Sequence, residues 1–138
     1  MRSRLLTISV VVALAGCAAS GVKSTDANVV ESRLAPGKGR FYFYRGGSIA
    51  GVAVQLEIKL NNEPVGRAVP GGFFFADRPR GSYEASTATE IEACLRIDPG
   101  ETKYVRVSIS PGILVRYIQF ELVDRAIAEV DLASLNKV

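Results

Sequence analysis

The chain has 138 residues, which suits one small domain, and its 17 basic and 14 acidic side chains give a formal charge of +3. Arg2 and Arg4 are two of the basic residues, so 15 remain against 14 acids, and a balance of +1 argues against nucleic-acid binding. The absence of histidine excludes imidazole bases, Ser-His and Cys-His pairs and histidine metal ligands.

The first sixteen residues have the composition of a secretory signal. Arg2 and Arg4 form a basic start, and residues 5–14 form an apolar run. This run is shorter than the roughly 20 residues that a membrane-spanning helix needs. The run ends in Leu14-Ala15-Gly16-Cys17, which resembles the lipobox of bacterial lipoproteins.

The resemblance to a lipobox implies a lipid anchor. It implies cleavage between Gly16 and Cys17, a diacylglyceryl group on the Cys17 sulfur, and acylation of the new amino terminus by a chain such as palmitate. Two or more acyl chains hold a protein stably on a membrane, whereas one does so only marginally. Ala18 follows where an aspartate would retain many lipoproteins in the inner membrane, which predicts an outer-membrane lipoprotein facing the periplasm. The alternative is an ordinary signal peptide with an incidental cysteine.

The rest of the chain divides into a linker and a domain. Residues 17–36 are small and polar without a sustained period, and they predict a lipidated amino terminus followed by a flexible tether. Residues 37–138 predict the folded domain, because apolar and polar residues alternate there at the period of half-buried strands.

Eight strands are expected in this domain. They are predicted at residues 40–45, 52–60, 64–69, 73–77, 82–89, 89–97, 102–110 and 117–123. Turns rich in Gly, Pro and Asn separate the strands, and no long helical pattern joins two of them, so the sequence predicts an all-β antiparallel sandwich. In the last strand Ile118, Phe120 and Leu122 are expected to face inward. After Asp124 the spacing predicts a short C-terminal helix with Ile127, Val130 and Leu135 as its apolar positions.

Several short motifs resemble, in order, those of the family called domain of unknown function 2846. They are Gly39-Arg40-Phe41-Tyr42-Phe43-Tyr44-Arg45, Gly71-Gly72-Phe73-Phe74, Arg80-Gly81-Ser82-Tyr83, residues 99–107 and Glu121-Leu122-Val123. Gly46 and Arg80 stand where family members often carry proline, and both are turn positions. The resemblance implies a small bacterial, often lipid-anchored protein, with a β-sandwich like those of transthyretin and carboxypeptidase-regulatory domains. No catalytic residue is established for the family, so none is carried over.

Tyrosine and arginine side chains are expected on the strand faces that point away from the core. Tyr42, Tyr44, Arg45, Tyr104 and Arg106 form a candidate interaction surface, because Tyr and Arg are typical anchors of binding interfaces. The alternative is that a second sheet, the C-terminal segment or arginine stems cover them.

Cys94 would be the only thiol once Cys17 carries lipid, so a disulfide within the chain is excluded. We interpret Cys94 as a buried or half-buried structural cysteine, and a regulatory or intermolecular thiol as the alternative. Glu90 and Glu92 lie two apart on one strand and are interpreted as a solvated face, although paired carboxylates also serve acid–base chemistry or calcium binding.

The leading interpretation is a lipid-anchored, non-enzymatic β-sandwich in the bacterial envelope, without catalytic residues, metal or cofactor. Its expected partners are the membrane, through the lipid on Cys17, and an unknown envelope protein or cell-wall component. The alternative is a module that binds peptidoglycan, another glycan or a small ligand through the outward tyrosines and arginines.

Overall fold

The computed structural model describes residues 22–23, 33–47, 55–87, 91–110 and 117–138. Within these ranges the chain forms ten strands and one helix. In chain order they are β1 (Val22–Lys23), β2 (Lys38–Arg45), β3 (Leu56–Leu60), β4 (Glu63–Ala68), β5 (Gly72–Pro79), β6 (Gly81–Ser86), β7 (Ile91–Ile97), β8 (Thr102–Ser110), β9 (Tyr117–Val123), α1 (Arg125–Leu132) and β10 (Asn136–Lys137).

The strands form two sheets. The larger has the order β1-β10-β5-β2-β8-β9, and the smaller has the order β4-β3-β6-β7. The predicted all-β sandwich with a short C-terminal helix is confirmed. Two pairs in the larger sheet are parallel, β2 with β8 and β10 with β5, and alternation within single strands cannot reveal such crossovers. The likeness to transthyretin and carboxypeptidase-regulatory domains stays a prediction.

The main core lies between the two sheets and follows the predicted alternation. Its largest fully buried members are Phe41, Phe43, Ile58, Leu60, Ile97, Val105 and Val107. Phe43 stacks on Phe74 of the neighbouring strand with ring centroids 5.3 Å apart. Pro64 lies in β4, an edge strand, as expected for a residue that cannot donate to a ladder.

The opposite face of the larger sheet is covered by α1 and the residues that follow it. A second cluster forms there from Tyr44, Phe73, Tyr104, Ala128, Leu132 and Leu135. The predicted phase of the helix is wrong: Ile127 and Val130 are 52% and 75% exposed, whereas Ala128 and Leu132 are buried. Ala128 and Leu132 are four apart and share one side of the helix, and the small Ala128 suits the close contact with the sheet.

Two side chains are more exposed than expected. Leu122 is 52% exposed, although it shares the inner face with its partner in register, Val105, because it lies near the end of β9, the edge strand of the larger sheet. Cys94 is exposed rather than buried, because it alternates with the inward-facing Leu95 in β7, the edge strand of the smaller sheet. Its side chain therefore has no packing role that would require a cysteine.

The predicted tether contains a strand. Val22 pairs with Lys137 and Lys23 with Asn136 in antiparallel register. The bounds of the tether at residues 17–36 and of the domain at 37–138 stay predictions. The signal peptide, Gly16 and Cys17 lie outside the described residues, as do residues 24–32. Also outside the described residues are the ranges 48–54, 88–90 and 111–116. They include parts of the strands predicted at 52–60, 82–89 and 89–97.

A substitution at Gly39 would test the packing of β2 against the turn before β8. A Cβ atom at this position would collide with Ile97 Cγ1 and lie 2.5 Å from the Asp98 carbonyl oxygen. We expect Gly39→Ala to lower the free energy of unfolding by about 1–3 kcal/mol, the usual cost of overpacking. Urea unfolding would measure the change. Gly46→Ala is the control, since nothing lies within 4 Å of a Cβ there, and an equal loss in both variants would contradict the packing argument.

Candidate functional site on the outer face of the larger sheet

Aromatic rings from three adjacent strands meet on the outer face of the larger sheet. Tyr42 of β2 is in register with Tyr104 of β8 and Phe75 of β5. The rings of Tyr42 and Tyr104 stack with centroids 5.3 Å apart and an interplanar angle of 16°. Phe73 and Phe75 flank Tyr42 at 6.3 and 5.7 Å. Strand alternation brings these rings to one face of the sheet, because on each strand they alternate with the residues that fill the core on the other face.

An ion pair between the buried Arg40 and the half-buried Asp77 lies beside the rings. Arg40 donates from Nε to Asp77 Oδ1 at 2.6 Å and from Nη2 to Oδ2 at 2.8 Å. The guanidinium carbon lies 4.0 Å from the centroid of the Phe75 ring. The hydrogen bond that Arg40 donates to Asp77 is the main cause that raises the pKa of Arg40 above its usual range. Bidentate pairing of this kind compensates a desolvated charge, so Arg40 and Asp77 fix the β2–β5 pairing.

A second polar network attaches α1 to the sheet. The Tyr44 hydroxyl donates to Asp131 Oδ2 at 2.8 Å, and Arg106 Nη1 donates to the same oxygen at 3.3 Å. Arg106 also donates from Nη2 to Glu121 Oε2 at 2.8 Å. Burial first, and the hydrogen bond to Asp131 second, raise the pKa of Tyr44 above its usual range. The hydrogen bond to Glu121 is the main cause of the raised pKa of Arg106.

A shallow cavity of about 280 Å³ opens beside the Tyr42–Tyr104 stack. We call it the basic groove. It is lined by Arg33, Leu34, Arg40, Tyr42, Gly100, Thr102, Tyr104 and Arg125. Arg125 also binds Glu129 through Nε at 2.6 Å, and Arg40 binds Asp77. Three arginines and no acidic residue line the groove, but Arg40 is buried and paired with Asp77. The exposed Arg33 and Arg125 are therefore the side chains that an anionic group could reach.

The five predicted surface residues differ in how far they are exposed. Tyr44, Arg45 and Tyr104 are only 1%, 4% and 8% exposed, and burial lowers the pKa of Arg45. Tyr42 and Arg106 are half-buried. The five do not form one exposed surface, because α1 and the C-terminal segment cover much of this face, which is the alternative that the sequence left open. Periodicity missed Arg33 and Arg125, since they flank the strands and approach the sheet only through tertiary packing.

The solvated face expected at Glu90 and Glu92, and its alternative of calcium or acid–base chemistry, are not tested by the described part of the chain. Within the described ranges, no group of three or more His, Cys, Asp or Glu side chains is placed to hold a metal ion. Glu90 lies outside the described residues, and the side chain of Glu92 does too. In the part of the chain that the structure describes, no helix is both long and apolar enough to cross a membrane.

Comparison with known families gives one match. A family model described as "Protein of unknown function (DUF2846)" matches residues 35–118, a range from just before β2 into β9 and more than half of the chain. No curated protein and no solved structure matches the chain. The matched range contains β2, β5 and β8, which carry the stacked tyrosines and the Arg40–Asp77 pair.

Tyr44 gives the helix attachment a pH dependence. Because its pKa is raised in the folded state, unfolded chains lose the Tyr44 proton above pH ~10 while folded chains keep it. The unfolded state then binds fewer protons, so stability falls as the pH rises above that value. We expect Tyr44→Phe to make this fall shallower by up to about 1.4 kcal/mol per pH unit.

Urea unfolding between pH 9 and 11.5 would measure the effect. Asp131→Asn is a second variant, and its slope should be closer to that of the wild type than to that of Tyr44→Phe, because burial of Tyr44, the larger cause of its raised pKa, is retained. Identical slopes in the wild type and Tyr44→Phe would contradict the burial of the hydroxyl under α1.

Proposed function

The chain belongs to the DUF2846 family of proteins of unknown function, and from this premise we propose that it is a lipid-anchored, non-enzymatic module of the bacterial envelope. In this proposal it holds or assists another envelope component, on the periplasmic side of the outer membrane. The observation that carries the proposal is Leu14-Ala15-Gly16-Cys17 directly after a basic start and an apolar run.

Several polar side chains of the domain bind one another and stabilise the fold. This supports a module that acts by holding another component rather than through a reacting group. Arg40 and Asp77 satisfy each other across β2 and β5, and Tyr44, Arg106 and Asp131 hold α1 to the sheet. The raised pKa values of Arg40, Tyr44 and Arg106 therefore have structural causes. A small sandwich near a membrane can act through its exposed surfaces without a reacting group.

The basic groove favours a second candidate function, which is the binding of an anionic glycan such as peptidoglycan. The exposed Arg33 and Arg125 line this groove together with the half-buried Tyr42. Guanidinium groups bind carboxylates with directional hydrogen bonds, and the half-buried ring of Tyr42 adds contact area. In this function the groove would bind the acidic groups of the cell wall while the anchor stays in the membrane.

The anchor is tested by Cys17→Ala in the full chain. We expect the wild-type protein to fractionate with membranes and the variant to lose this association, because the acyl chains provide the attachment. In-cell crosslinking with mass spectrometry should recover an envelope partner that is lost with the variant. Cys94→Ser is the matched control and should behave as wild type. Membrane association that survives in Cys17→Ala would contradict the lipid anchor.

Arg33 tests the glycan candidate, because it lines the groove and is exposed. We expect Arg33→Gln to weaken binding to purified sacculi about tenfold, the effect of losing roughly 1.5 kcal/mol of charge-assisted hydrogen bonding. A sacculus pulldown over a range of protein concentrations would measure it. Arg96→Gln, an exposed site on the smaller sheet, is the control. Equal binding by both variants would contradict the groove as the glycan site.

A further inference from the structure

We propose that the protein sits on the membrane through the β1–β10 edge of its larger sheet and the apolar cleft beside that edge. The occupant of this surface is the anionic lipid surface of the leaflet that holds the anchor. The inference rests on the proposed lipid anchor and adds to it an orientation of the domain and a lipid-contacting surface.

The first argument is the length of chain between the anchor and the first strand. Val22 begins β1, and it is five residues after Cys17. Five residues reach at most about 18 Å, whereas a tether of twenty residues would reach about 70 Å. Because β1 pairs with β10, this short reach applies to the sheet edge. The β9 edge is four strands beyond β10, about 19 Å away.

The second argument is the cleft beside this edge. It has a volume of about 590 Å³ and lies between β4 of the smaller sheet and the β5–β10 part of the larger sheet. Its apolar lining consists of Val65, Val69, Pro70, Phe74, Phe75 and Val138. Val138 is 49% exposed. A cleft of this size with a largely apolar lining suits insertion of lipid groups more than contact with water alone.

The third argument is the charge at the rim of the cleft. Arg67 and Lys137 are the charged side chains among the lining residues. Arg67 Nη1 lies 3.4 Å from Gln55 Oε1, and Lys137 Nζ lies 4.6 Å from the centroid of the Phe75 ring. Long basic side chains above an apolar surface keep their heads in the polar layer while their stems contact lipid. Anionic head groups attract such residues.

The outer face of α1 is the competing surface. Ile127 and Val130 are exposed there, but the described residues show no short connection that would hold this face near the anchor. The two surfaces lie on different parts of the domain, so labels at different positions can distinguish them.

The test measures the distance of three positions from the membrane in the full lipidated protein. Because lipid blocks the Cys17 sulfur, a fluorophore can be attached to Cys94 in the wild type. In the Cys94→Ser background it can be attached to Val138→Cys or to Val130→Cys. The labelled proteins are reconstituted into phosphatidylethanolamine–phosphatidylglycerol vesicles that contain a lipid with a nitroxide on its head group.

We expect quenching at Val138→Cys to exceed quenching at Cys94 and at Val130→Cys at least threefold. Arg67→Gln with Lys137→Gln should reduce that ratio, whereas Arg80→Gln with Arg96→Gln, on distant surfaces, should leave it unchanged. Equal quenching at the three positions, or stronger quenching at Val130→Cys, would overturn the orientation. A ratio that stays unchanged in the Arg67→Gln, Lys137→Gln variant would overturn the electrostatic contact.

Flotation of the same vesicles separates this inference from the proposed function. Protein that floats with the vesicles and lacks the quenching difference has an anchor but a different orientation. Protein that does not float lacks the anchor, and the orientation is then wrong together with it.

Discussion

Both faces of the larger sheet carry aromatic side chains that must be buried. The rest of the structure depends on which elements bury them. β2 lies inside this sheet, with Phe41 and Phe43 on one face and Tyr42 and Tyr44 on the other. The smaller sheet covers the phenylalanines. Exposed apolar area costs about 25 cal/mol per Å², so the tyrosine face also needs a partner, and α1 supplies it. Tyr44 then needs an acceptor for its hydroxyl, and Asp131 on α1 accepts it.

The route of the chain after α1 follows from this cover. Leu135 completes the second cluster, and the chain then enters β10 beside the start of β5. The Asn136 amide donates to the Gly71 carbonyl at 2.9 Å, and the Val138 amide donates to the Phe73 carbonyl at 2.9 Å. β10 thus presents its other edge to β1. The segment that covers the tyrosines is therefore the segment that ties the amino-terminal part of the chain to the sheet.

Much of the fold was predictable because it rests on alternation within strands. The bounds of β8 and β9 and the inward phases of β2 and β3 follow from period-two patterns and from turn residues such as Gly100 at φ 76°. The parallel pairs were not predictable, because a strand carries no mark of its neighbour's direction. The predicted helix phase was wrong because the large apolar residues Ile127 and Val130 were expected to face the sheet. The small Ala128 faces the sheet instead, and only the tertiary contact shows this.

The candidate site was predictable in part for the same reason. Alternation placed Tyr42 and Tyr104 on the outer face, but it could not show that α1 covers Tyr44 and Tyr104. Arg33 lines the basic groove but lies before β2, outside any strand. A residue outside a strand belongs to no alternating pattern, so periodicity could not predict its position. The pairing of β1 was also hidden, because a two-residue strand is too short to show a pattern.

The measurement that tests this account most directly is a disulfide between the paired residues Val22 and Lys137. Opposed residues of antiparallel strands have Cα atoms about 4.5–5.5 Å apart, within the range that a disulfide spans. In a chain with Cys17→Ala and Cys94→Ser, we expect Val22→Cys and Lys137→Cys to crosslink rapidly and completely under mild oxidation. Val22→Cys with Lys103→Cys on β8 is the control and should not crosslink. Equal rates for the two pairs would contradict the β1–β10 pairing and the short connection between anchor and sheet that depends on it.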